Sequence, residues 1–456
     1  MPQAPDGPTQ TLESKLVELA IKLIDTAVQF RKPRLEAIRK LEDAYHLKPK
    51  PTLPGRLWIP LPILSGFVDT LKSKLDKLPR ITYKHEGLAA FKVAKKVTAA
   101  AELEAGPNRG AWAKKDRMAT TLAIFSGRAI YKKYADSING FKDHLEVVDM
   151  FDFLWEPKGG ADLEDHLFLG QQNIFKIEDD LMDGIDAGLY DASAVRQVVA
   201  GMNTDLSKKN DMAVQEKLNR YSRLGLDPEQ NSYVGQKIAN LTEWVMNYKG
   251  TRYYLLLDPL MKVGVRVAPL KEVIERERYQ FVSWATHEDP FNFASKSPAE
   301  DVRPVADGME IVFNEGLNNL RKRNWGQRAV DPNIFPDVNE LNWDRPDKVI
   351  IADTRNGEKA ISSGVYEFKT EDNSVITVNL TSFLDTFLGK KTGITASAEG
   401  QAPKDTKVGV YYGDLAQVAD RLGLNNDSKA ECWAQIGQRF TDGLIEHLSE
   451  PMLVKM

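Results

Sequence analysis

The run Gly389-Lys390-Lys391-Thr392 is the first place in this 456-residue sequence where residue types suggest chemistry. Glycine, lysine and a hydroxyl in that order end a phosphate-cradling loop. The full loop needs another glycine five residues before the Gly-Lys pair, so that successive backbone N–H groups wrap the phosphates. Leu384 stands there, Lys390 is followed by Lys391 rather than Ser or Thr, and Leu380 to Leu388 reads as a helix. Nucleotide binding is therefore not expected of this run. The run does open a long polar stretch. From Thr392 to Thr406 the one bulky aliphatic residue is Ile394, and lysines stand at 390, 391, 404 and 407. A loop of that length is usually functional or disordered.

Other reactive residue types are scattered. His46, His85, His144, His166, His287 and His447 show no HxxxH spacing, and none stands beside a cysteine. Glu178, Asp179, Asp180 and Asp183 resemble a cation cluster, but acids at a helix start are expected for the dipole. Asp162, Glu164 and Asp165 read as a solvated loop. There is no G-x-S-x-G, no G-x-G-x-x-G and no Cys-His pairing. The sequence thus leads us to expect no catalytic residues, no metal, no cofactor and no enzyme. The single cysteine, Cys432, excludes an internal disulfide and a cysteine-based zinc site, which fits a reducing compartment.

Composition sets the frame for these residues. The chain is 42% hydrophobic and 28% charged, a composition that folds. A formal net charge of −4 argues against a protein that simply coats DNA with Lys and Arg. No signal peptide is visible, and no apolar run approaches the eighteen or so residues of a membrane span.

The hydrophobic pattern gives the elements. Residues 1–10 read as a disordered arm, and Thr11 to His46 as a helix interrupted at Pro33. A Pro-rich connector follows, then helices at about 63–78, 88–106 and 111–126. Strands are expected in GRAIYKKYA, in HLEVVDMFDFLWEP and in four segments between 241 and 285, with helices across 176–202. Ser297, Pro298 and Glu300 make a strong helix start. From there Val302, Val305, Met309, Val312, Leu317 and Leu320 trace one stripe, and Arg321, Lys322 and Arg323 close the helix in accord with its dipole. Pro304 is expected to kink it. Its polar positions Asp301, Glu310, Asn314 and Asn318 suit a face on water. Residues 326–379, including DKVIIAD, RNGE and SVITVNL, read as strands and turns. A short helix, the polar loop, and helices at about 407–424 and 428–449 complete the chain.

That order, carried by THEDPFNFASKSPAEDVRPVADGMEIVFNEGLNNLRKRNW, VVDMFDFLWEPKGGADLEDHLFLGQQ, DAGLYDAS and the stretch from Gly389, resembles the portal proteins of tailed bacteriophages. The resemblance covers roughly residues 60–450. It implies an α+β, elongated subunit with these parts: a wing (1–296), a long stem helix (297–325), a β-rich clip (326–378), a second stem helix (379–391), a tunnel loop (392–406) and helices of the wing and a short crown (407–456). The chain ends at Met456, so the crown is small or shortened in this reading. The family forms dodecamers at one capsid vertex of the virion, assembled in the host cytoplasm, through which double-stranded DNA is packaged and ejected. Its partners are the major capsid protein, the terminase and head–tail adaptor or tail proteins, with no membrane. On this reading Lys390, Lys391, Lys404 and Lys407 form the DNA-facing collar. Mobile small residues and a few lysines let any sequence pass. Arg321, Lys322 and Arg323 form a further basic ring near the clip, and Val305, Met309, Val312, Leu317 and Leu320 pack the stem. Two other classes stay open: a different ring-forming connector or capsid structural protein, and an uncharacterised nucleic-acid enzyme.

Overall fold

The computed structural model of the chain describes residues 12–48, 50, 57–84, 88–136, 141–202, 238–274, 278–324, 328–330, 365–367, 371–392 and 408–447. Among them the protein is mixed α+β, with ten α-helices and three antiparallel sheets. The chain forms two compact units. One comprises Met1–Asp43, Phe67–Asp301 and Ala419–Met456, the other Ala44–Gly66 and Val302–Val418. The Pro-rich connector and most of the long helix thus share the second unit.

In the first unit a five-stranded sheet has the order β3 (Phe153–Trp155), β4 (Phe168–Ile177), β5 (Ile238–Tyr248), β6 (Thr251–Asp258), β7 (Val263–Pro269). Strands β5 and β6 are joined by Lys249-Gly250, both at positive φ (52° and 83°), a mirror-image turn that matches the strand twist. Helix α1 (Leu12–Tyr45) lays Leu16, Val17, Ala20, Ile24 and Ala27 against Leu154, Trp244, Met246, Leu255 and Leu257 of this sheet. The interruption expected at Pro33 is absent. Proline removes one backbone hydrogen bond, a cost of about 3 kcal/mol. Buried Ile24 and Ala27 before it, and Leu35, Ile38 and Leu41 after it, hold the helix together. Arg31, also buried, donates to the carbonyl oxygens of Phe151 (2.9 Å) and Phe153 (2.8 Å).

A second sheet has the order β2 (Lys142–Val148), β1 (Arg128–Asp136), β8 (Phe281–Ala285). It is covered by α3 (Leu88–Glu104), α4 (Trp112–Ser126) and the last helix, Val408–His447. That last helix was expected as two, with a break in Gly423-Leu-Asn-Asn-Asp-Ser428. It is continuous. Glycine and asparagine each cost up to about 1 kcal/mol in a helix, but Cys432, Trp433, Ile436 and Phe440 are all buried in the core just beyond. Burial pushes the Cys432 thiol well above its usual pKa, so it stays protonated.

One carboxylate organises this core. Asp116 on α4 accepts from the Tyr131 hydroxyl (3.0 Å), the Trp433 indole (3.0 Å) and the Lys429 ammonium (2.6 Å). Lys429 also donates to Leu75 O, the last carbonyl of α2 (Ile63–Leu75), and to Thr120. Both charged side chains are 1% exposed. A paired buried charge is tolerated, and an orphaned one costs about 3–5 kcal/mol. Lys429→Met should therefore lower stability by about that amount. Adding Asp116→Asn should recover part of it. Thermal melting followed by tryptophan fluorescence checks both, and equal melts for Lys429→Met and wild type would show that the pair carries no weight.

Candidate assembly and nucleic-acid interface

After α5 (Glu178–Asp186), α6 (Ala192–Gly201) and α7 (Leu270–Val273), the long helix, α8 (Pro298–Asn324), begins as its sequence reads. Ser297 Oγ accepts from the Glu300 N–H (3.0 Å), and the Glu300 carboxylate accepts from the Ser297 N–H (3.4 Å), a closed capping box. Arg34 of α1 grips the same carboxylate at 2.6 Å and donates to Ser126 O and Ser295 O. The helix then runs through Pro304 to Asn324 with Val302, Val305, Ala306 and Met309 buried. Of the other packing positions, Val312 and Leu317 are half-buried. Leu320 is exposed, against the expectation that it packs.

In the second unit the polar side of α8 does not face water. Asn314 accepts from Ile59 N (2.7 Å) and donates to Ile59 O (2.9 Å). Asn318 treats Leu57 alike, at 2.9 and 3.0 Å. Four residues along a helix rise about 6 Å, close to the length of two extended residues, so two asparagines read alternate residues of one extended strap. Glu310 accepts from the Trp58 indole at 2.6 Å. Lys50 donates to Asp307 and Glu310, both at 3.1 Å. Burial works to lower the Lys50 ammonium, but these bonds outweigh it and hold its pKa above the ordinary lysine value.

The segment SVITVNL was expected to be a strand of the clip. It is the first part of a helix, α9 (Ser374–Thr392). Asp372 supplies the reason: its carboxylate accepts from the Ser374 N–H (3.0 Å) at the helix start. Bonds from Ser374, and then Arg323, hold that carboxyl below its usual pKa. The β-branched run is also satisfied locally, since the hydroxyls of Thr377, Thr381 and Thr386 donate to carbonyls four residues back. Two stripes run along α9. Thr377, Thr381, Leu384 and Leu388 are half-buried. Gly316 and Gly308 of α8 meet this stripe: a Cβ on Gly316 would stand 2.6 Å from Thr377, and one on Gly308 3.9 Å from Leu384. Ile376, Leu380, Phe383 and Phe387 form the second stripe at i, i+4, i+7 and i+11. All four are exposed, Phe383 by 64%.

The basic residues fall as follows. Arg321, Lys322 and Arg323 end α8 on its exposed surface, and Arg323 is ion-paired with Asp372. Lys390 and Lys391 lie in the last turn of α9, where cations suit the dipole. Their side chains are outside the described residues. Of the loop expected over 392–406, Thr392 belongs to α9, and the rest, with Lys404 and Lys407, is outside them too, as are DKVIIAD and RNGE. Within residues 326–378, β9 (Arg328–Val330) and β10 (Val365–Glu367) form a two-stranded ribbon. In the first unit the acidic run Asp162-Leu163-Glu164-Asp165 keeps Asp162 and Asp165 exposed, as expected of a solvated segment, but has local structure. It is a short 3₁₀ turn whose Glu164 accepts from Arg252 (3.0 Å) and from Tyr279 N–H (3.3 Å). Glu178, Asp179 and Asp180 occupy the first turn of α5 (Glu178–Asp186). Among the described residues no His, Cys, Asp or Glu cluster could hold a metal, and no helix could cross a membrane.

No protein-family model matches this chain, and no curated protein matches it.

Asn314→Ala should leave both backbone groups of Ile59 unpaired, a penalty of about 1–3 kcal/mol. The Ile59 amide should lose hydrogen-exchange protection. Ser297→Ala, which loses one cap, should cost about 1 kcal/mol and leave that amide unchanged. Equal protection of Ile59 in both variants would dissolve the strap.

Proposed function

We propose that the protein is a portal-type connector: one subunit of a closed ring, a dodecamer on the family resemblance, seated at a capsid vertex as the passage for double-stranded DNA. In this role it has no catalytic residues of its own. The terminase, the capsid protein and the head–tail proteins dock on the ring.

The observation that carries the reading is the open stripe of α9. Its inner stripe is occupied by α8, yet Ile376, Leu380, Phe383 and Phe387 face outward at a spacing that seats one helix against another. Full burial of such a side chain is worth about 1.5–3 kcal/mol. Four in one row favour a permanent neighbour over solvent. A ring gives every copy the same neighbour with no free end. The element order supports the reading as well: a large mixed unit, a long capped helix, a β ribbon, a second helix and a further helix after the loop.

Mass measurement and negative-stain imaging test it directly. A ring with a central hole is expected, and a monomer at all concentrations would overturn the reading. Reducing agents and EDTA should leave the ring intact, because Cys432 is buried and no metal cluster occurs among the described residues. Phe383→Asp should abolish rings while leaving the monomer's melting temperature unchanged. Leu384→Asp, on the inner stripe, should lower that temperature. Changing Lys390, Lys391, Lys404 and Lys407 together to Ser should leave rings intact but impair DNA packaging or retention. Normal packaging in that variant would remove the loop lysines from the DNA path.

A further inference from the structure

A strongly basic stretch of the first unit lies apart from the basic residues of α8 and α9. Between Lys72 and Lys96 there are eight Lys and Arg against two Asp and Glu, in a chain of net charge −4. The acid Asp76 is already held by Arg117 (3.2 Å), and the one arginine, Arg80, is spent on Glu102 (2.9 Å). Lys72, Lys74, Lys77, Lys84, Lys92, Lys95 and Lys96 have no ion-pair partner among the described residues.

Four of these lysines, Lys84, Lys92, Lys95 and Lys96, lie on or beside α3 and are exposed. Tyr83 N–H donates to Thr98 Oγ1 of α3 (3.4 Å), and Arg80 meets Glu102, so the segment from Arg80 runs antiparallel beside α3 and carries Lys84 toward the turn of Lys95 and Lys96. Lys92, Lys95 and Lys96 stand at i, i+3 and i+4, one face of the helix, and all are exposed. No carboxylate occurs on α3 before Glu102. Exposed Phe91 and Val93 flank the stripe.

We propose that this lysine face is a duplex-DNA contact surface, separate from the basic residues of α8, α9 and the polar loop. A row of unpaired cations on a helix is the electrostatic footprint of a phosphate backbone. An acidic protein segment is the less fitting occupant, because the buried centres of protein–protein contacts are poor in lysine. The contact is independent of sequence: lysines reach phosphates, and nothing on this face is placed to read base edges. The proposal stands on the charge of the first unit and does not require the ring reading.

The test is a fluorescence-anisotropy titration of the full chain with a short random-sequence duplex, as salt is raised from about 50 to about 200 mM. Lys92→Ser/Lys95→Ser/Lys96→Ser should weaken binding at low salt by tenfold or more, and should flatten the slope of log affinity against log salt by about 2.7, or about 0.9 per lost contact. The same three positions changed to Arg should bind as the wild type does. Circular dichroism melts of all variants should nearly coincide, since these side chains have no ion-pair partner among the described residues. The proposal is overturned by an unchanged affinity and slope in the triple Ser variant. It is equally overturned if the wild type ignores duplex at low salt yet retains polyglutamate, which would make the face a docking site for acidic protein. Normal rings with a failed titration would remove this inference alone. A successful titration without rings would remove only the connector reading.

Discussion

A carboxylate with no access to water fixes the arrangement of the first unit. Asp116 must be satisfied from every side, and its three donors come from two other elements: Tyr131 from β1, and Lys429 and Trp433 from the last helix, with α4 holding the acid itself. Apolar packing alone tolerates sliding by a fraction of a turn. A charged hydrogen-bonded hub does not, because a displaced donor leaves a bare charge in a low-dielectric core. Lys429 extends the constraint to the end of α2 through Leu75 O. The register of the last helix follows from this point, and that helix continues upstream to Val408.

The start of α8 obeys the same rule on a smaller scale. Glu300 serves two donors at once, the Ser297 N–H that closes the cap and the Arg34 guanidinium that ties the cap to α1. Local sequence explains the first bond and long-range packing the second. This division describes how much could be read in advance. The capping box, strands β1 to β3 and β5 to β8, and the positions of the helices before residue 130 follow from patterns within a few residues, whereas β4 lies where no strand was expected and α1 runs through the break expected at Pro33. So does the two-stripe character of α9 from Leu380 onward, once its helical period is recognised.

What could not be read depended on distant partners. SVITVNL has strand propensity, and the cap at Asp372 outweighs it. The break expected at Gly423–Ser428 is overridden by side chains buried several residues later. The asparagines of α8 looked like a wet face because nothing local ties residue 314 to residue 59. The lysines of 72–96 were visible as single charges. That they have no ion-pair partner among the described residues is a property of the folded chain alone.

The strap along α8 is held through its main chain: Asn314 and Asn318 bind the N–H and C=O of residues 59 and 57, not their side chains. Mutational drift at these two positions is therefore nearly unconstrained with respect to the strap. Any residue with a free amide presents the same two groups, so Leu57 and Ile59 are open to substitution, while proline is barred from both sites. The opposite holds for the two asparagines. Aspartate lacks the amide donor, and glutamine is one methylene too long to keep the two-residue step. The recognition element is thus brittle on the helix and permissive on the strand, an asymmetry that would let the protein's surface diversify without loosening the second unit.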